Sequence, residues 1–162
     1  MEIDFNAIIN GALSFVVLLI LKALLDFKIA PFFVKYFYWL PVRNYFRSKP
    51  TQITGDWEQL WGSAKSENFL EDIDRHSYTN IKQFNSYCYA EFISKGITYI
   101  IFGRIINNHF VGDWYDKKDD LGYYGAFQLE ITNSNNMNGM WIGHSKVTHI
   151  VKGDKWSWKK IE

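Results

Sequence analysis

The sequence predicts one or two N-terminal transmembrane helices followed by an eight-stranded antiparallel up-and-down β-barrel. The first observation behind this fold class is a long apolar run, residues 5–25, that carries a single charge. The second is a change after Pro50 to short runs rich in aromatic and β-branched residues, separated by Gly, Asn and Asp. The third is the composition: 48% of the 162 residues are hydrophobic and 19% are aromatic, which excludes a disordered chain.

The predicted membrane anchor begins with this apolar run. As a helix the run would be about 31 Å long, close to the thickness of the hydrocarbon core of a bilayer. Lys22 lies near one end, where its ammonium group can reach the lipid headgroups. A cleaved signal peptide begins with basic residues, whereas Glu2 and Asp4 precede this run. We therefore expect a retained membrane anchor over residues 1–49 and a separate barrel domain over residues 50–162.

A second hydrophobic segment, residues 29–46, is heavily aromatic but contains two prolines and two basic residues. It is either a second transmembrane span or an interfacial helix whose Tyr and Trp rings lie at the level of the headgroups, and the sequence leaves both open. Arg43, Arg47 and Lys49 lie at the exit from the membrane. Because basic residues next to a span stay on the cytoplasmic side, we expect the barrel to face the cytosol.

Eight strand-like runs follow the anchor, with turn signals such as Lys95-Gly96 and Asn107-Asn108 between them. The predicted strands are 52–61, 76–82, 84–94, 97–106, 109–115, 123–132, 138–145 and 148–161. Most of the loops are short, so consecutive strands are expected to pair antiparallel. Residues 62–74 form the one long connection, which is predicted to be helical or irregular. A closed barrel of eight strands has no exposed edge and leaves room inside for one small ligand.

Alternation along the strands places large rings on common faces. The groups are Trp57, Gln59 and Trp61; Gly139, Trp141 and Gly143; and Trp156 with Trp158. The run 97–106 is apolar on both faces, with Thr98 and Arg104 among the residues of one of them. Such a strand predicts a barrel that packs against another subunit or against the membrane.

The sequence offers little for catalysis or metal binding. Cys88 is the single cysteine and is expected to be a small buried residue. His144 and His149 are five residues apart, so on one strand they would point to opposite faces. The acidic run 116–120 is typical of a solvated turn and lacks the ligand spacing of a calcium loop. We expect no enzyme, no metal and no cofactor, and the net charge of +1 excludes a binder of long nucleic acid.

A ligand pocket is better supported, because aromatic side chains stack on flat rings. Arg104 is the one arginine predicted within a strand, and its guanidinium group suits bidentate binding of a phosphate. Two interpretations stay open: Arg104 binds an anionic ligand, or it faces solvent or pairs with Glu91 or Glu130. The further candidates by residue type are Tyr87, Tyr89, Tyr123, Tyr124, Trp141, Lys146 and Thr148.

Motifs of glycine and aromatic residues recur along the chain in a fixed order. They are Gly55-x-Trp57-x-Gln59-x-Trp61, Gly112-x-Trp114, Tyr124-Gly125-x-Phe127-x-Leu129, Gly139-x-Trp141-x-Gly143 and Trp156-x-Trp158. Together with the N-terminal hydrophobic segments, this order resembles the membrane-anchored β-barrel effectors of bacterial CBASS anti-phage operons over nearly the whole chain. Gln59 departs from the pattern, since a small residue is expected between the two tryptophans of the first strand.

The resemblance implies a receptor at the bacterial inner membrane. A cyclic dinucleotide made during infection would bind the barrel as the activating ligand, copies of the protein would assemble into a homo-oligomer, and the membrane would be disrupted. Because the first motif also resembles that of lipocalins, a membrane-tethered, lipocalin-like carrier of an apolar ligand is the alternative. A structural anchor whose barrel is filled by its own aromatic side chains is a third hypothesis.

Overall fold

The computed structural model describes residues 5–26, 29–41, 49–64, 72–119, 121–144 and 150–161. Contacts divide the chain into two compact units, Met1–Phe33 and Val34–Glu162. Residues 34–40 therefore group with the barrel unit, and the domain boundary expected after residue 49 stays a prediction.

Two helices occupy the N-terminal part of the chain. Helix α1 is Phe5–Asp26, and helix α2 is Ile29–Phe37, with Pro31 in its first turn, where a missing N–H costs no hydrogen bond. At nine residues, α2 is about 14 Å long, less than half the thickness of the bilayer core. Within the described residues, no helix is both long enough and apolar enough to cross a membrane. The transmembrane helices predicted over residues 1–49 are therefore not supported.

The second unit contains eight strands in one closed barrel. They are β1 (Gly55–Trp61), β2 (His76–Phe84), β3 (Tyr87–Ser94), β4 (Ile97–Ile106), β5 (His109–Asp116), β6 (Tyr124–Asn133), β7 (Asn136–His144) and β8 (Val151–Lys160). Each strand pairs antiparallel with its neighbour in sequence, and β8 pairs with β1 to close the barrel. The predicted eight-stranded antiparallel barrel is confirmed, and every strand begins and ends within three residues of its prediction.

The hairpins are tight because a few residues adopt a left-handed backbone. Lys95 and Gly96 have φ angles of 49° and 75°, the pair of positive values that a two-residue turn of type I′ requires. Asn85 and Asn107 have φ angles of 53° and 56°, which asparagine tolerates better than most residues. The turns predicted at 95–96 and 107–108 are confirmed.

Alternate residues of each strand fill the interior of the barrel. The buried apolar residues of this core are Trp57, Ile81, Cys88, Ala90, Phe92, Tyr99, Ile101, Ile105, Phe110, Phe127, Leu129, Ile131, Met137, Trp156 and Trp158. The predicted faces of β1 and β8 are confirmed, since their tryptophans point inward. Cys88 is fully buried, as expected, and this burial raises the pKa of its thiol.

One end of the barrel is closed by residues that precede β1. The Ile53 side chain is fully buried there, and its backbone N–H donates to Oε1 of Gln83 at 2.8 Å. The indole Nε1 of Trp57 donates to the carbonyl of Ile53, also at 2.8 Å. We call this the closed end. The opposite end, where the 95–96 turn and the 117–123 loop lie, is the open end.

Candidate ligand-binding cavity

A cavity of about 90 Å³ lies inside the open end of the barrel. Its walls are mainly aromatic, and the rings come from six of the strands and from the loop before β6. The aromatic lining residues are Trp61, Phe92, Tyr99, Trp114, Tyr123, Trp141 and Trp156. The other lining residues are Gly62, Ser63, Ser94, Gly143, His144 and Lys152. A ring-lined concave site with a few polar groups is typical of small-molecule binding.

The rings of the cavity hold one another in place. Phe92 stacks on Tyr99 with 5.1 Å between ring centroids and 22° between planes, and it meets Trp61 edge to face at 5.5 Å. Trp114, on the neighbouring strand β5, is edge to face with Tyr99 and with Trp141, each at 6.0 Å. Such pairs contribute about 0.5–1.5 kcal/mol each beyond the apolar area that they bury. The cavity is therefore preformed rather than assembled from mobile side chains.

Trp114 is fixed against the wall by two glycines and one hydrogen bond. Its Nε1 donates to the backbone carbonyl of Ile142 at 3.1 Å. A Cβ atom at Gly143 would lie 2.4 Å from Cζ2 of the indole, and one at Gly125 would lie 2.7 Å from its Nε1. Because only glycine leaves this space empty, these two positions determine how far the Trp114 ring stands from the centre of the cavity.

Few polar groups face this apolar space. Lys152 points inward from the start of β8 and brings its amino group to the cavity. The indole Nε1 of Trp141 is buried and has no hydrogen-bond partner among the described residues. Burial, with further contributions from Asp116 and Tyr123, raises the pKa of Tyr99 to about 12, so its phenol is neutral at physiological pH. The cavity thus combines apolar walls with one cation.

Asp154 fixes the rim of the cavity where β1 ends. Its Oδ2 accepts the backbone N–H of Ala64 at 2.8 Å, and its Oδ1 accepts that of Lys155 at the same distance. These two hydrogen bonds lower the pKa of the Asp154 carboxyl group, which is therefore charged near neutral pH. A Cβ atom at Gly62 would lie 2.2 Å from Cγ of Asp154, so glycine is needed for the carboxylate to fit.

The structure places two predicted site residues, Tyr123 and Trp141, in the wall of the cavity. Arg104, Tyr87 and Tyr124 are exposed on the outer face of the barrel, and Tyr89 also points outward but is covered. The reason is strand parity: the inward residues of β4 have odd numbers, so Arg104 points to the outside. For these four residues, ligand binding stays a prediction that the cavity does not support.

The remaining candidates and the acidic run stand as follows. Tyr123 lines the cavity, whereas Lys146 and Thr148 lie outside the described residues. The acidic run forms a turn in which Oδ1 of Asp116 accepts the backbone N–H groups of Lys118 and Asp119. In the part of the chain that the structure describes, no group of three His, Cys, Asp or Glu residues could hold a metal ion.

Sequence reasoning did not assign Trp61, Phe92, Tyr99, Trp114 or Lys152 to the site. The glycine motifs contained the necessary signal for the tryptophans. In Gly112-x-Trp114 and Gly139-x-Trp141-x-Gly143, small and large residues alternate on one face, as the inner face of a small barrel requires.

Comparison with protein-family models, with curated proteins and with solved structures finds no match to the chain.

Proposed function

We propose that the barrel is a receptor for a cyclic dinucleotide, and that a base of this ligand enters the aromatic cavity. The observation that supports the proposal is the preformed, ring-lined space at the open end. Stacking of a base on an aromatic side chain contributes about 1–3 kcal/mol and tolerates different bases. Lys152 is positioned at the same end to meet a phosphate group.

The size of the cavity limits how such a ligand would bind. Its volume of about 90 Å³ is well below the roughly 300–1,000 Å³ that is usual for sites enclosing a drug-sized ligand. One ring system would therefore occupy the interior, while the sugar–phosphate ring would lie at the mouth. This arrangement brings the negative charge to Lys152 and leaves the apolar walls to the base.

We further propose that the protein acts as an effector of anti-phage defence at the inner membrane, with homo-oligomerisation upon ligand binding. The support is α1, in which the side chains of residues 15–20 are all apolar and all at least 48% exposed. Apolar surface of this extent is stable in water only when lipid or protein covers it.

Flotation of the full chain with vesicles of bacterial lipid tests whether the protein binds membranes. Recovery of the protein in the lipid-free fraction would contradict membrane binding.

Calorimetry of the full chain in detergent micelles tests ligand binding, with cyclic di-AMP, cyclic di-GMP and cyclic GMP–AMP as titrants. The informative variant is Lys152→Met, because a lost charged hydrogen bond is expected to weaken binding by about tenfold or more. Lys155→Met is the matched control, since this lysine lies on the same strand but is exposed on the outer face.

Two outcomes would contradict the proposal. In the first, none of the three nucleotides binds to a protein whose circular-dichroism spectrum shows a folded barrel. In the second, both lysine variants weaken binding equally, which would indicate a diffuse effect of charge rather than a contact in the cavity.

The second candidate function is a carrier of an apolar ligand, and the lining itself favours it. Seven aromatic residues line the cavity, against one lysine. Mass spectrometry of the denatured, freshly purified protein would detect a co-purified lipid or fatty acid. Detection of such a ligand at one equivalent would favour the carrier over the nucleotide receptor.

A further inference from the structure

Glu91, on the outer face of β3, accepts hydrogen bonds from three separate parts of the barrel unit. Nζ of Lys35, in α2, lies 2.5 Å from Oε1, and Nζ of Lys117, in the loop after β5, lies 2.8 Å from Oε2. The hydroxyl group of Tyr89, on β3 itself, donates to Oε1. Partial burial opposes ionisation, but the hydrogen bonds from Lys117, Lys35 and Tyr89 lower the pKa of Glu91 to about 2. The carboxylate is thus charged, and both of its oxygens accept hydrogen bonds.

On one side, Glu91 holds residues 34–40 against the barrel wall. The Val34 side chain is 2% exposed, and Tyr89 is 4% exposed although it points outward from β3. Nζ of Lys35 lies 5.4 Å from the centroid of the Tyr89 ring, a cation–π contact in addition to the ion pair. Another cation–π contact of this segment, Nζ of Lys82 in β2 at 5.4 Å from the Tyr38 ring centroid, does not involve Glu91. The segment therefore contacts the outside of the barrel through individual interactions that include the ion pair of Lys35 with Glu91.

On the other side, Glu91 reaches the loop that borders the cavity. The backbone N–H of Lys117 donates to the carbonyl of Thr98 at 2.9 Å, and that of Asp116 donates to the carbonyl of Tyr123 at the same distance. Tyr123 lines the cavity. One end of this short loop therefore touches the ligand site, and the other end supplies a donor to Glu91.

We infer that Glu91 couples the occupancy of the cavity to the attachment of residues 34–40, an inference that rests on the proposed function. In the empty cavity all three donors reach the carboxylate. A base that enters and displaces Tyr123 shifts the loop, and Lys117 withdraws from Glu91. Lys117 then no longer fixes the orientation of the carboxylate, so Lys35 holds it at a greater cost in side-chain entropy and therefore less firmly. Ligand binding loosens residues 34–40, which comprise the end of α2 and the turn that follows it.

Hydrogen exchange measured by mass spectrometry on the full chain in micelles tests this coupling. With saturating cyclic di-AMP, cyclic di-GMP or cyclic GMP–AMP, whichever binds, exchange in residues 34–40 is expected to rise by about fivefold. In the Glu91→Gln variant, we expect hydrogen exchange in residues 34–40 to be high without nucleotide and to stay the same when nucleotide is added. Glu58→Gln is the control, because Glu58 is another outward carboxylate, paired with His76 at 2.8 Å, and it should respond like the wild type. A nucleotide that binds without changing exchange in this segment would overturn the inference.

A second arm needs no nucleotide and separates failure of the coupling from failure of the proposed function. Tyr123→Ala should raise exchange in residues 34–40 in the wild-type background and add nothing in the Glu91→Gln background. Lys117→Met should raise it as well, since it removes the donor directly. Equal effects of Tyr123→Ala in both backgrounds would overturn the coupling, whatever the nucleotides do.

Discussion

At the scale of single residues, the side-chain amide of Gln83 makes the hydrogen bonds that a neighbouring strand would otherwise make at the closed end of the barrel. Its side chain is 5% exposed and makes three hydrogen bonds to the main chain. Oε1 accepts the N–H of Ile53, while Nε2 donates to the carbonyls of Thr51 and Asn85 at 3.0 Å and 2.8 Å. Ile53 and Thr51 lie outside the strands of the barrel, so this amide supplies hydrogen bonds to main-chain groups that no strand ladder pairs.

Gln83→Met should therefore destabilise the barrel although it preserves the shape of the side chain. It would leave one N–H and two carbonyl groups without partners, and we expect a loss of about 2–4 kcal/mol. Urea unfolding followed by tryptophan fluorescence measures the change. Gln128→Met, on the exposed outer face of β6, is the control and should lie within about 0.5 kcal/mol of the wild type. Equal stability of the two variants would show that the Gln83 hydrogen bonds are dispensable.

At the scale of elements, β5, β6 and β7 form a wall in which one large ring lies over two glycines. Trp114 of β5 occupies the space that side chains at Gly125 of β6 and Gly143 of β7 would fill. The alternation of glycine and tryptophan is thus a packing rule for this wall. The width of the cavity therefore depends on Gly125 and Gly143, because a side chain at either position would displace the Trp114 ring.

Gly143→Ala should narrow the cavity by pushing the Trp114 ring inward. Its Cβ would lie 2.4 Å from the indole, and overpacking of this kind costs about 1–3 kcal/mol. We expect lower stability in urea and weaker binding of any ligand that fills the cavity, as measured by calorimetry. Asn138→Ala, at an exposed position of the same strand, controls for effects on β7 itself. Unchanged binding in Gly143→Ala would place the ligand elsewhere.

The strands could be predicted from the sequence. For some strands, however, the sequence did not reveal which face points into the barrel. In β1 and β8 the tryptophans alternate with polar residues, so the inner face was evident. In β4 both faces are apolar, so alternation left open whether Arg104 points inward or faces solvent; in the structure Tyr99, Ile101 and Ile105 are the inward residues. In β3 the outward Tyr89 is buried by a distant segment, and such tertiary cover leaves no periodic signal.

At the scale of the whole molecule, one carboxylate connects chain segments that are far apart in sequence. Glu91 is 56 residues from Lys35 and 26 residues from Lys117. Its charge is therefore a condition for the packing of residues 34–40 and of the 117–123 loop at the same time.

The stability of the barrel unit should consequently depend on pH in the acid range. The pKa of Glu91 is lowered from 4.5 to about 2, so its contribution is complete above about pH 4.5 and is lost as the pH falls towards 2. Urea unfolding at several pH values should show a smaller loss over this interval in Glu91→Gln than in the wild type. Parallel pH profiles for the two proteins would show that Glu91 does not contribute.

The closed end has a consequence for the kinetics of any ligand. Ile53 and the aromatic core behind it block passage through the barrel, so a molecule in the cavity leaves through the mouth by which it entered. Entry and exit then share one barrier, located where Tyr123, Lys152 and the rim at Gly62 meet solvent. Substitutions at this rim that touch no bound ligand, unlike Lys152→Met, should change the association and dissociation rates by similar factors and leave the affinity nearly constant. Substitutions deep in the walls should act on the dissociation rate alone.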